Sequence, residues 1–147
     1  MDIEKLIRLF DAHDVDYVLI GATAFPVHGF ARATIDVDVF IRPTAKNAEQ
    51  VRDALLEFGY DVRDITIDDL LTTKLLIRQY ALATDIHPFV AGVSYDEVEQ
   101  GRVAGFIGET RAWFASLEHL IAMKRAAGRP KDLEDLKYLE RLKERGG

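Results

Sequence analysis

Asp36 and Asp38 stand two residues apart in the segment Thr34-Ile35-Asp36-Val37-Asp38-Val39, and Asp85 recurs in Thr84-Asp85-Ile86-His87. In an extended chain alternate side chains leave the same face, so Asp36 and Asp38 project together, about 7 Å apart at the backbone. Carboxylates held that close repel each other unless water or a cation lies between them. Mg²⁺ takes oxygen ligands at about 2.1 Å, typically one or two carboxylates with phosphate oxygens completing the shell. A third carboxylate such as Asp85 allows a second ion, the arrangement for in-line phosphoryl or nucleotidyl displacement. The plainer alternative for Asp-Val-Asp is the wet face of an edge strand.

The surroundings of the pair favour phosphate chemistry. The strand-like run Tyr17-Val18-Leu19-Ile20 stops at Gly21, and a short helix is expected over Ala22 to His28, closed by Gly29. A helix N-terminus directly after a strand offers unpaired N–H groups to an anion, which makes Gly21, Ala22 and Thr23 candidate phosphate contacts. Arg32 suits either a phosphate or a salt bridge to Asp36 or Asp38. His28 reads as a packed or capping histidine, and His87 as a metal neighbour or an exposed side chain. Toward the C-terminus, the inward stripe Leu117, Leu120, Ile121 continues at Lys124. A lysine there either lays its stem on the core with its amine in water, or meets an anion. Arg125, Arg129 and Lys131 add a local positive patch, or simply oppose a helix dipole. Asp132 and Asp135 share a helix face and read as structural, with Asp135 in reach of Arg32, Lys124 or Arg129.

These residues need a scaffold, and the chain is long enough to supply one. Its 147 residues argue for a single domain over 1–147, able to bury about 70% of its unfolded surface without staples. Hydrophobic residues make up 48% and charged residues 30%, a balance that excludes disorder, collagen-like repeats and coiled coil. The net charge of −6 gives no general attraction for nucleic acid, so any RNA contact must use a local basic patch. The absence of cysteine excludes a disulfide framework, a thiolate zinc site and a cysteine nucleophile. No apolar run approaches the roughly 18 residues of a spanning helix, and the acidic start Met1-Asp2-Ile3-Glu4 is unlike a signal peptide. The expected setting is the cytoplasm, with no membrane partner.

Ile3, Leu6, Ile7 and Phe10 mark a first amphipathic helix. Ile35 to Ile41 reads as a strand, followed by a helix from an N-cap at Thr44 through Phe58. Lys74 to Tyr80 and Leu82 to Phe89 predict an antiparallel hairpin. Ser94 to Gln100 predicts a short helix, Arg102 to Ile107 and Thr110 to Phe114 two further strands. Helices over Leu117 to Ala127 and Pro130 to about Arg145 close the chain. Hairpins interrupt the βαβ rhythm, so the expected class is α/β (α+β), a mixed sheet flanked by helices with two of them C-terminal.

Gly21-Ala22-x₁₃-Asp36-Val37-Asp38 resembles the hallmark of the nucleotidyltransferase superfamily that includes polymerase β. The longer string from Gly21-Ala22-Thr23-Ala24 through His28-Gly29 to Arg32-Ala33-Thr34-Ile35-Asp36-Val37-Asp38 is similar to small prokaryotic nucleotidyltransferases, among them toxins of type IV toxin–antitoxin and abortive-infection systems. The tail from Leu117 to Leu136 resembles the same group. Such families usually carry Gly-Gly or Gly-Ser where this chain has Gly21-Ala22. Alanine keeps the backbone N–H and a small side chain but lacks the hydroxyl, which Thr23 could supply.

The resemblance implies an enzyme that moves an NMP from an NTP, ATP for instance, to an acceptor hydroxyl on tRNA, a protein or a small molecule. Asp36 and Asp38 would hold Mg²⁺ (or Mn²⁺), and Asp85 would bind a second ion or take the acceptor's proton. Gly21, Ala22, Thr23 and Arg32 would contact the nucleotide, and Lys124 its triphosphate. An antitoxin protein would be a further partner. A non-catalytic nucleotide-binding or protein-interaction module that keeps the fold is the alternative, and a metal-dependent phosphatase or nuclease a third.

Overall fold

A computed structural model describes residues 2–30 and 36–146. The expected element over Ile35 and the expected contact of Arg32 lie outside these residues at that point of the chain. The fold is a mixed six-stranded sheet in the order β3-β4-β2-β1-β6-β5. Its strands are β1 (Tyr17–Ile20), β2 (Asp36–Ile41), β3 (Leu75–Ile77), β4 (Ala83–His87), β5 (Val103–Ile107) and β6 (Thr110–Phe114). Its helices are α1 (Asp2–Ala12), α2 (Ala45–Phe58), α3 (Ile67–Thr72), α4 (Tyr95–Gln100), α5 (Leu117–Ala127) and α6 (Pro130–Gly146). Among the described residues, no helix is long and apolar enough to cross a membrane.

The sheet is held from both sides, which explains why β1 is buried at every position. The apolar stripe of α1 buries Leu6, Ile7 and Phe10 completely, and α2 does the same with Ala48, Val51 and Leu55. Fully burying a side chain of Leu or Ile size contributes about 1.5–3 kcal/mol, so this layer dominates the stability of the sheet. In β2 the alternation holds as far as Val39 and ends at Phe40, which is buried on the acids' face. Val37 and Val39 are fully buried, while Asp36 and Asp38 on the opposite face are half-buried.

Each long crossover has local stops. Thr44 accepts the Asn47 N–H at the start of α2. α3 was not anticipated by apolar periodicity; it is one turn and a half stabilised by a capping box between Thr66 and Asp69. Ser94 and Glu97 form the equivalent box on α4, and Ser116 caps α5. The hairpin β3–β4 exists as expected but with strands shorter than the apolar runs that suggested them. The helix expected over Ala22 to His28 is instead two 3₁₀ turns, Gly21–Thr23 and Pro26–His28. Pro26 is the reason: with no N–H and a ring that crowds the preceding turn, it can begin a helix but not continue one.

The pairing of β2 with β4 sets the position of the acidic residues. It is parallel, with Asp36 opposite Ala83, Asp38 opposite Asp85 and Phe40 opposite His87. Beneath it, the buried Tyr60 hydroxyl donates to Leu82 O at 2.7 Å and lies 2.8 Å from Thr84 Oγ1, tying α2's exit loop to β4.

Candidate active site

Register brings the sequence-predicted acids together. Asp38 and Asp85 are cross-strand partners on one face, and Asp36 flanks them on the same strand face. His87 joins them: its Nε2 donates to Asp38 Oδ1 at 2.9 Å, with only 13% of its side chain exposed. Of the two sequence-level readings of His87, the structure supports the metal neighbour. One donor atom each from Asp38, Asp85 and His87 lie within 4.8 Å of one another, a spacing compatible with a single ion. Among the described residues this trio includes His87 where the sequence had Asp36; Asp36 lines the same cleft without belonging to it.

The acids lie in a cleft of about 380 Å³ between the sheet and the α5–α6 hairpin. Gly21 and Ala22 border it from the end of β1. Gly21 has φ +61°, and a Cβ there would stand 2.8 Å from Asp38 Oδ2. The absence of a side chain at Gly21 is therefore what leaves room for the Asp38 carboxylate. Thr23 does not present its hydroxyl to the cleft. It is buried, and Oγ1 accepts the Asp38 N–H at 3.2 Å and donates to Asp36 O at 3.4 Å. Its service is to hold the backbone that carries both acids, so the hydroxyl missing at Ala22 is not replaced from Thr23.

The far wall is cationic but internally paired. Lys124 Nζ sits 3.1 Å from both Asp132 and Asp135, and 5.6 Å from the Phe25 ring centroid. Arg129 meets the same Asp132 through Nε at 2.6 Å and through its backbone N–H. The Arg129 hydrogen bonds, with Lys124 behind them, hold the buried Asp132 carboxyl far below the usual carboxylate range. A core-facing lysine is thus satisfied by two aspartates of α6, and it lines the cleft from that position. Lys74 and Lys131 also line the cleft, are exposed, and form no ion pair among the described residues. His28 is a packed residue, donating to Ala115 O at 2.8 Å.

Arg78 is the site residue that sequence reasoning missed. Its Nη1 lies 2.6 Å from Asp85 Oδ1, and Asp36 and Asp38 also favour its charged form. The signal lay in the hairpin register: Leu76 pairs with Asp85, so Arg78, two residues on, shares the face of Asp85. Lys74 was passed over for a similar reason, because it precedes β3 and reaches the cleft from a loop end.

No family model matches the chain, and no curated protein matches it by sequence. Solved structures do. The lincomycin-bound lincosamide antibiotic adenylyltransferase LnuA superimposes with a TM-score of 0.64 at 16% identity, over 96% of each chain. TM1012 from Thermotoga maritima, a proposed nucleotidyltransferase, also gives 0.64 at 16% identity, over 95% of this chain and 91% of that one. The chain has the nucleotidyltransferase fold. At this identity the likeness concerns the fold, and the chemistry must be argued from the cleft.

Proposed function

We propose that this protein is a divalent-metal-dependent nucleotidyltransferase that moves an NMP from an NTP to an acceptor hydroxyl and releases pyrophosphate. The observation that carries the reading is the pairing of Asp38 with Asp85 on one sheet face, beside Asp36 and His87, at the floor of a cleft with a cationic wall. The donor set fits a divalent ion, since Asp38, Asp85 and His87 already stand within coordinating distance of one another. When bound, that ion supplies charge neutralisation and Lewis-acid polarisation of the transferred phosphoryl group.

The chain's own groups do the rest. The acceptor oxygen attacks the α-phosphorus as the bond to the bridging oxygen of the β-phosphate breaks, and that oxygen leaves with pyrophosphate. The acceptor's proton passes to the Asp85 carboxylate and from there to water, with Arg78 fixing the orientation of that carboxylate. Gly21 and Ala22, with no bulk on the cleft side of β1, let the phosphates approach. Lys74 and Lys131 are the cations available to the triphosphate, while Lys124 acts through the α5–α6 wall that it ties together with Asp132 and Asp135. Arg32 remains a proposed nucleotide contact.

The test uses each α-labelled NTP with Mg²⁺ or Mn²⁺ and separate pools of RNA, protein and small-molecule acceptors. Label should pass to one pool, and Asp85→Asn should lower that transfer by about 10² or more. Nucleotide binding by the wild type without transfer to any pool would replace the enzyme by the binding module. A toxin role in the cytoplasm is the finer form of the reading. It requires growth arrest on induction, abolished by Asp38→Asn and relieved by a co-expressed partner protein.

A further inference from the structure

Mg²⁺ is by habit held by oxygen alone. His87 makes this site different. It stands 49 residues from Asp38 in sequence, yet it reaches the cleft because it lies on the same β4 face as Asp85, two residues on. Phe40, which is its register partner, is buried against Tyr95 in an edge-on contact with ring centroids 5.2 Å apart. The imidazole is nearly buried and aimed at the acids.

We propose that His87 is a direct ligand of the metal together with Asp38 and Asp85, and that its nitrogen makes the site prefer Mn²⁺ over Mg²⁺. The proposal rests on the metal-dependent reading above. Donor atoms about 2.1 Å from one ion stand about 3.0 Å apart when adjacent and about 4.2 Å apart when opposite. His87 Nε2 and Asp38 Oδ1 are 2.9 Å apart, the adjacent spacing, and all three donors lie within 4.8 Å. The hydrogen bond between them marks the edge that a metal would span. Imidazole suits transition ions, whereas Mg²⁺ keeps to carboxylate, phosphate and water. Mn²⁺ accepts both kinds of donor.

The experiment needs the metal alone. Mn²⁺ and Mg²⁺ are titrated by calorimetry into the full chain, and electron spin-echo spectroscopy of bound Mn²⁺ is compared between unlabelled and ¹⁵N-histidine protein. Mn²⁺ should bind at least tenfold more tightly than Mg²⁺, with a nitrogen coupling that changes with the label. His87→Gln, which keeps an N–H donor, should remove that coupling and weaken Mn²⁺ tenfold or more while leaving Mg²⁺ within threefold. His87→Asp should shift the preference toward Mg²⁺. Bound Mn²⁺ without nitrogen coupling in the wild type would overturn the assignment with no variant needed. Equal loss of both ions in His87→Gln would instead make His87 a positioning residue. Coupling present in a protein that transfers no nucleotide would support the ligand and overturn the transferase, so the two failures separate.

Discussion

Gly21→Ala is the sharpest probe of how the backbone makes room for the acids. Gly21 adopts φ +61°, a left-handed conformation that costs an L-residue about 1–2 kcal/mol. The added methyl would also meet Asp38 Oδ2 at 2.8 Å, where ordinary contacts begin several tenths of an ångström further out. That oxygen cannot retreat freely, because Asp38 Oδ1 is held by His87 and the backbone N–H by Thr23. A displacement of about 0.5 Å is the tolerance of a working constellation, and about 1 Å costs near 10² in rate. The variant should therefore lose about 1–3 kcal/mol of stability in urea and ten- to a hundredfold in Mn²⁺ affinity and label transfer. Gly59→Ala is the control. It has φ +113° but nothing within 4 Å of its added Cβ, so it should be destabilised while metal affinity stays unchanged. A Gly21→Ala protein destabilised to the same degree as Gly59→Ala, but with wild-type Mn²⁺ affinity, would refute the link between Gly21 and the Asp38 carboxylate.

Two further outcomes follow from the charges around the cleft. Arg78→Gln removes the cation 2.6 Å from Asp85 and leaves the acids to repel one another, so Mn²⁺ alone should bind several-fold more tightly by calorimetry; unchanged or weaker binding would refute competition between Arg78 and the ion for Asp85. Asp132→Asn breaks a buried carboxylate shared by Arg129 and Lys124 and should cost about 2 kcal/mol or more at pH 7. Because the folded carboxyl is depressed, its contribution is complete above the unfolded value near ~4 and is lost as pH falls below it. The gap between the urea midpoints of wild type and variant should thus narrow steadily as pH falls from 5 toward 2, and a constant gap would contradict the ion-pair account.

The period-2 and period-3.6 patterns carried most of the architecture. β2, β6 and α5 lie where the alternation and the helical stripe put them, although β2 also buries Phe40 on the face of its acids. The Ala22 to His28 segment departed because a single proline outweighed the helical spacing around it. α3 was invisible to the hydrophobic pattern and legible only in its Thr66–Asp69 cap. Asp36, Asp38 and Asp85 could be found from spacing and residue type. His87, one pleat from Asp85, was legible as a metal neighbour, but the work of Arg78 and Thr23 was not, since each depends on which strand lies beside which, a tertiary fact that local periodicity does not contain. Lys124 shows the same limit from the other side. Its odd position on an apolar stripe signalled an anionic partner, and that partner turned out to be a pair of aspartates in the same chain.

The hydrogen bonds from Tyr60 to Leu82 and Thr84 pin the position of β4. Were β4 to slip by one residue against β2, every side chain would change face. Thr84 and Ile86, now fully buried, would enter the cleft, and Asp85 and His87 would go into the apolar core. No intermediate register keeps half of the donor set. Substitutions that loosen the β4 layer from a distance should therefore reduce the fraction of competent molecules and leave each survivor with undiminished affinity. A Mn²⁺ titration would read such a change as fewer binding sites, not weaker ones.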